Sequence, residues 1–537
     1  MAKNLLLLLV ITISYFSYGQ QDAWVFLKDK QNVANAVANP NTILSQRAID
    51  RKNRHGISID ARDVPVTENY ISQLKTQSGI TVYAKSKWMN AVHVRGTEAQ
   101  IRALTSLNFV DFIDFADKNL ANAGRVRQQE NKFSVEDEQV TFNYGLSENQ
   151  VSMLNVDLLH ENNYTGEGIC IAVLDSGFPN IETLAAFERL RNNGDYLGGY
   201  DFPNRTSDLN VAVDGDHGVR VLSTMAAYLD GQYVGTAPDA SYYLFRTEIG
   251  PSENPVEESY WVEAAERADS LGVNIINSSL GYTQYDNPNY SYTPSDMDGK
   301  SAYITRGANI AAEKGILVVN SAGNEGNSSW GIVGAPADGP GVFSIAAVTP
   351  SGNYASFSSK GSAIQPTQKP DVAAQGAPAN VITSSGALVS NNGTSFSSPI
   401  MAGSIASLWQ SMPDVDPETI KRLVRESSSQ FNNPDFFIGY GIPDMSNALN
   451  ALLSTKDKYS LDLRIFPNPV SSFLTLQSSK SLSNSKIVIY NVLGTKVKSQ
   501  NSLGSSNKID VTSLANGVYL LKITLDNNTK TFKFIKS

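Results

Sequence analysis

The stretch GICIAVLDSG, residues 168–177, decides the fold. Its apolar run is too short for an independent helix and does not alternate as a half-wetted strand would. It therefore reads as a strand buried on both faces, ending at Asp175. Four further stretches have the same character: YYLFRTE (242–248), GVNIINSS (272–279), GILVVNSAG (315–323) and VFSIAAV (342–348). Between them, ESYWVEAAERADSLG (258–272) and RGANIAAEKG (306–315) space their apolar residues three or four apart, as helices do. Buried strands alternating with helices imply an α/β domain with a mainly parallel sheet between helices. In such folds functional residues gather at the carboxyl ends of the strands.

The pattern holds over residues 148–453 and changes on either side. Residues 20–120 mix strand-like runs (AWVFLK, MNAVHVRG and the alternating FVDFIDF) with helical segments (NTILSQRAIDRKN, NYISQLKTQ, TEAQIRALTSL), a small α+β unit. Residues 121–147 are polar and charge-rich, a linker. Residues 454–462, STKDKYSLD, read as a second linker. Residues 463–537 hold short β-like segments with turn signals between them, a small β-sandwich. At the other end, MAKNLLLLLVITISYFSYGQ has one early lysine and an apolar run of about 12 residues, short of the ~20 that span a membrane. We read residues 1–19 as a signal peptide cut near Gly19 or Gln20.

Bulk composition narrows the function. The 537 residues suggest roughly three to four domains at ~150 residues each. A net charge of −9 without a basic run argues against nucleic acid as a partner. The single cysteine, Cys170, rules out an internal disulfide and a cysteine-based zinc cluster. Only His55, His93, His160 and His217 are available as an imidazole base.

Candidate chemistry lies at the strand ends. Asp175 is either a loop cap or a functional carboxylate. His217 opens a helical segment after Asp216 in DGDHGVRVLSTMAA (214–227) and is the well-placed histidine of the domain. Asn324 sits in a Gly-Asn-Glu-Gly turn, as an ordinary turn residue or as an amide donor to an oxyanion. Ser395 lies in NGTSFSSPIMAG (392–403), where Pro399 is expected in the first turn of a helix. Ser395 is then a helix cap or a nucleophile, although Thr394, Ser397 and Ser398 offer caps as well. A serine nucleophile needs a base and a carboxylate to orient that base.

With VLDSG, DHG, NSSLG, NSAGNEG and NGTSFSSP in this order, residues 148–453 resemble the subtilisin-like serine peptidases, the subtilases. The resemblance implies an acyl-enzyme mechanism with Asp175 orienting His217, His217 as general base and Ser395 as nucleophile. Asn324 and the Ser395 N–H would form the oxyanion hole. It implies that Ser279, Leu280 and Gly281 pair with a peptide substrate and, with Ala322, Gly323 and Gly334, line a pocket for a large apolar side chain. The family's His-Gly-Thr-His-Val is here His217-Gly218-Val219-Arg220-Val221, so a threonine hydroxyl is missing.

An insert, residues 282–303, follows the substrate strand and could shape the cleft. Within it Asp296 and Asp298 are candidate calcium ligands or members of a solvated loop; no metal or other cofactor is required. Residues 20–120 resemble the family's propeptide, an inhibitor of its own enzyme. Residues 463–537, with IFPNPV and GVYLLKI, resemble sorting domains of type IX secretion cargo, or else a surface-binding sandwich. The expected protein is a monomeric serine endopeptidase made as an inactive precursor, secreted or kept at the outer cell surface. The alternative is a catalytically inactive surface-binding protein on the same scaffold.

Overall fold

The computed structural model describes residues 19–120, 142–210, 215–459, 463–478, 482, 485–491, 495–501, 507–525 and 528–537. The expected signal peptide up to residue 18 and linker residues 121–141 lie outside the described residues. The chain divides into two units, Met1–Leu449 and Asn450–Ser537.

The first unit begins with strands β1 (Gln20–Leu27), β2 (Thr81–Ser86), β3 (Ala91–Thr97) and β4 (Val110–Phe115). They form an antiparallel sheet in the order β2–β3–β1–β4. One face packs on the segment's own helices: Ala23, Val25 and Leu27 of β1 join Ile71, Leu74 and Ile101. The other face turns Trp24, Ala84 and Trp88 into the core of the larger domain. Side chains alternate across a strand, so both sets of β1 find apolar partners. Helix Glu98–Ala103 starts in a capping box between Thr97 and Gln100.

The buried runs become one sheet. Its strands are β5 (Cys170–Asp175), β6 (Tyr196–Asp201), β9 (Ser241–Arg246), β10 (Ile275–Ser278), β11 (Leu317–Ser321), β12 (Val342–Val348) and β13 (Val372–Gln375). A short hairpin of β7 (Tyr228–Leu229) and β8 (Tyr233–Val234) stands apart. Among the described residues the sheet has seven strands, all parallel, in the order β13–β12–β11–β10–β5–β9–β6. Every residue of β5, β10, β11, β12 and β13 is buried, which is why their sequences do not alternate. Helices His217–Ala226 and Thr394–Gln410 pack on one another. Helices Val256–Leu271 and Tyr303–Glu313 pack against the sheet residues Ala172, Leu174, Ile276 and Val318. The strand order sets the ends of β5, β10 and β11 side by side.

Two linker expectations are corrected. Residues 142–147 are tied to the core. The Tyr144 hydroxyl lies 2.9 Å from His160 Nδ1, and Ser147 Oγ donates to Val234 O at 2.8 Å. Residues 454–459 continue helix Met445–Tyr459. The sequence ALLSTKDKY contains no glycine or proline to stop that helix, so polarity alone was a misleading sign. Residues 460–462 lie outside the described residues.

The second unit has the expected sandwich. Strands Leu463–Phe466, Phe473–Ser478 and Lys508–Asp510 form one antiparallel sheet. Lys496–Asn501, Lys486–Asn491, Gly517–Leu525 and Asn528–Lys536 form the other. Leu474, Leu476, Ile487, Ile489, Leu521, Ile523 and Phe534 make their shared core.

Candidate active site

Asp175 is the last residue of β5 and is fully buried. His217 is the first residue of helix His217–Ala226. The helix start can press onto the turn after β5 because the next residue is glycine. A Cβ at Gly218 would lie 2.4 Å from Gly177 O and 2.8 Å from the Phe178 ring. That approach brings His217 Nδ1 to 2.7 Å from Asp175 Oδ1, which also accepts from Ser176 N at 2.8 Å. The carboxylate favours the tautomer with its proton on Nδ1, leaving Nε2 as the acceptor. Burial alone would lower the His217 pKa. The charge and hydrogen bond of Asp175 outweigh it, and the imidazole is held above its usual 6.5.

Ser395 is the second residue of helix Thr394–Gln410, so its N–H belongs to the unpaired donors of the first turn. Pro399 corrects an expectation: it is the sixth helical residue and lies in the second turn. Its missing N–H would have bonded to the carbonyl of Ser395. Ser279 Oγ takes that place, donating to Ser395 O at 2.9 Å. The Ser395 hydroxyl in turn faces Ser279 O at 3.5 Å and forms no hydrogen bond with His217 in this structure. Capping is done by none of the serines. Ser397 Oγ donates to Thr394 O, and Ser398 Oγ donates to Asn277 Oδ1.

Asn324 supplies the acceptor that the helix start needs. Its Oδ1 accepts from Thr394 N at 2.9 Å and from Thr394 Oγ1 at 3.0 Å. With the oxygen so engaged, the amide's Nδ2 donors are left for the cleft. Asn324, His217 and Ser395 line one open space of about 460 Å³, with Ser176, Arg220, Asn391 and Phe396.

The other histidines lie elsewhere. His160 is buried against Tyr144 and Thr236 O, and burial pushes its pKa down to about 4. His55 is buried beside Trp409, and burial followed by the Arg51 charge pushes it down to about 3. His93 is buried between Asp22 and Ser259.

The subtilase family model matches residues 166–441, more than half of the chain. The chain belongs to the subtilase family. This subtilase is 29% identical to subtilisin E of Bacillus subtilis (strain 168) over 301 residues, 56% of this chain and 70% of that protein. It is 28% identical to a thermostable alkaline protease of Halalkalibacterium halodurans over 292 residues, 53% of this chain and 69% of that one. The crystal structure of the epidermin leader peptide processing serine protease of Staphylococcus aureus shares its fold. The TM-score is 0.52 at 18% identity, over 81% of this chain and 98% of that one. The protein is thus a subtilisin-like serine peptidase, as its motifs implied. Residues 22–134 match a peptidase S8 propeptide domain of Bacteroidota. Residues 464–537 match a secretion system C-terminal sorting domain, which indicates export.

In this subtilase the departure beside His217 has a visible consequence. Val219 is fully buried where the hydroxyl would have stood. Arg220 binds Asp216 at 2.7 Å and Asn391 Oδ1 at 2.9 Å, tying the His217 helix to the strand that leads into Ser395. Among the expected substrate residues, Ser279 holds the Ser395 carbonyl and Leu280 O accepts from Asn320 Nδ2 at 2.9 Å. Gly281 has open space, since a Cβ there would come no closer than 3.8 Å to Ala335 O. Ala322 is buried with Val333 and Ala337. Gly323, at φ +102°, donates to Thr394 Oγ1 at 3.2 Å. Gly334 is buried and abuts Thr283, whose methyl lies 2.9 Å from a Cβ built there.

The calcium candidates are engaged. Asp296 Oδ2 accepts from Thr293 N at 2.7 Å and from Lys118 Nζ at 3.1 Å. Asp298 Oδ1 accepts from Lys300 N and Ser301 N. Among the described residues no group of three or more His, Cys, Asp or Glu side chains is placed to hold a metal ion. Sequence reading missed the role of Ser279 Oγ; Pro399, an N–H absent from mid-helix, was the available signal.

Proposed function

We propose that this subtilase is a secreted endopeptidase made as an inactive precursor, with Asp175, His217, Ser395 and Asn324 as its reacting set. One observation carries the reading. The 2.7 Å contact of His217 with a buried carboxylate lies on the wall of the cleft that Ser395 and Asn324 also line.

A substrate chain lies along Ser279–Gly281 as an added strand. Ser395 Oγ turns from Ser279 O to His217 Nε2, which takes its proton as the oxygen attacks the scissile carbonyl carbon. The resulting oxyanion is held by Asn324 Nδ2 and the Ser395 N–H. Collapse breaks the C–N bond, and His217 gives its proton to the leaving amine. Water then repeats the sequence on the acyl-enzyme, restoring Ser395 and releasing the acid. Asp175 keeps the imidazole in the productive tautomer and favours its protonated form. Apart from the substrate and water, the reacting groups are the chain's own, so the proposed chemistry calls for no metal or cofactor, and structural calcium is an optional addition. The mature enzyme acts as a monomer.

Residues 20–120 act as inhibitor and folding aid until the chain is cut within 121–141. The propeptide match and the burial of Trp24 and Trp88 in the catalytic core support this. The signal peptide takes the chain out of the cytoplasm. The C-terminal sandwich hands it to the type IX machinery, to be released or kept at the cell surface. The experiment compares purified wild type with Ser395→Ala. The wild type should hydrolyse an unfolded protein and shed residues 20–120, while the variant should do neither. A processed wild type that cuts nothing overturns the reading in favour of an inactive binding protein.

A further inference from the structure

The insert after the substrate strand holds a cation. Lys118, near the end of the N-terminal segment, extends its ammonium over the Tyr292 ring at 3.8 Å from the centroid. The same nitrogen donates to Ser291 O at 2.9 Å and to Asp296 Oδ2 at 3.1 Å. A π-face, a carbonyl and a carboxylate around one ammonium make a seat matched to a basic side chain.

The seat is built by the catalytic domain alone. Tyr292 N donates to Thr283 O at 2.8 Å, and Ser291 Oγ accepts from Tyr285 N at 2.9 Å. Asp296 is fixed by Thr293 N and Thr293 Oγ1 at 2.7 and 2.8 Å. The Tyr292 hydroxyl donates to the buried Glu258 carboxylate at 2.9 Å. That bond fixes the ring and enriches its electron density, which strengthens its attraction for a cation. Of the other cations at this surface, Lys300 is engaged by Asp298 at 3.4 Å within the catalytic domain, and Arg306 is held by Asp114 of the N-terminal segment at 3.2 Å. The hydrogen-bonded neighbours of Ser291, Tyr292 and Asp296 named here, Lys118 apart, stay when the N-terminal segment leaves.

The seat also follows closely on the expected substrate residues in the chain. Thr283 is two residues beyond Gly281 and four beyond Ser279, which touches Ser395. The strand ends at Ser278, and at ~3.3 Å per residue of extended chain Thr283 lies no more than about 13 Å from Ser279. Lys118 precedes the segment to be cut, so its seat faces the acyl side of a substrate.

We propose that Ser291, Tyr292 and Asp296 form a specificity subsite for a lysine or arginine side chain, four to seven residues before the scissile bond, occupied by Lys118 in the precursor. This rests on the endopeptidase reading above. Processed enzyme is given extended peptides that differ only in lysine or norleucine at each of those positions. At one position lysine should raise kcat/KM about 5- to 30-fold. Asp296→Asn keeps an oxygen for Thr293 and should reduce that preference several-fold, leaving the norleucine peptide unchanged. Tyr292→Leu should abolish it. Equal cleavage of all peptides by wild type, or a lysine preference untouched in both variants, overturns the subsite. Cleavage of none of them by wild type overturns instead the endopeptidase reading.

Discussion

Among the described residues lie two Asp–His–Ser sets. In one, His93 Nε2 is 2.8 Å from Asp22 Oδ1, and His93 Nδ1 is 2.8 Å from Ser259 Oγ. In the other, His217 Nδ1 is 2.7 Å from Asp175, and Ser395 stands across the cleft bonded to Ser279 instead. By hydrogen-bond geometry alone the first set is the more complete. It is also sealed: His93, Asp22 and Ser259 are only 1%, 2% and 3% exposed. Both imidazole nitrogens are engaged, and Trp24 Nε1 donates to Ser259 Oγ at 2.7 Å. A connected chain of hydrogen bonds therefore marks a joint between the N-terminal segment and helix Val256–Leu271. A reactive site needs unused hydrogen-bonding capacity instead: a free Nε2, a free amide donor at Asn324 and space for a carbonyl between them.

The same contrast runs along the whole seam. Lys52 binds Asp269 at 2.8 Å and Asp63 at 3.1 Å, and Lys314 binds Asp63 at 2.8 Å, all buried. Glu266 accepts from Ser86 Oγ, Lys87 N and Trp88 N. Buried ion pairs add little net stability over apolar packing, but losing one partner costs about 3–5 kcal/mol. Such a seam specifies its partner, and its polar surface suits exposure to water after release.

Substitutions and pH separate the two sets. The largest effect is expected for Ser395→Ala, whose turnover should fall by about 10⁴–10⁶, whereas Ser259→Ala should leave turnover of the processed enzyme intact. Next, Asp175→Asn should lower kcat by about 10⁴, while Asp22→Asn should leave processed enzyme alone and loosen the segment. Burial raises the Asp22 carboxyl, but His93 and Arg95 outweigh that and hold it below 3.8. Its contribution to attachment is therefore present above pH 3.8 and fades as pH falls below it, which segment retention on a sizing column will show. Asn324→Ala should cost about 10²–10³ in kcat with a smaller change in KM. The smallest effect is on pH dependence. Because the working base is neutral His217, kcat/KM should fall as pH drops through a value above 6.5. An acid limb centred well below 6.5 would show that Asp175 does not hold the imidazole as described.

Much of this was legible because it is local. Strands buried on both faces announce themselves as unbroken apolar runs, and the Asp175, His217, Asn324 and Ser395 turns each carry a short motif. What was hidden depends on distant partners. Ser279 and Ser395 are 116 residues apart, and the bond that replaces the Pro399 donor is visible only when the chain is folded. β6, YLGGYD, is a half-buried edge strand whose glycines break any apolar pattern. Lys496–Asn501, KVKSQN, carries only one apolar residue. The seam's charges read as ordinary surface until their partners on helix Val256–Leu271 are seen.

The most direct test is to treat processed protein with a fluorophosphonate and map the adduct by mass spectrometry. The account predicts a single adduct on Ser395, lost in Ser395→Ala whose N-terminal segment has been removed by added wild type, and retained in Ser259→Ala. An unlabelled protein, or an adduct on any other serine, would contradict it.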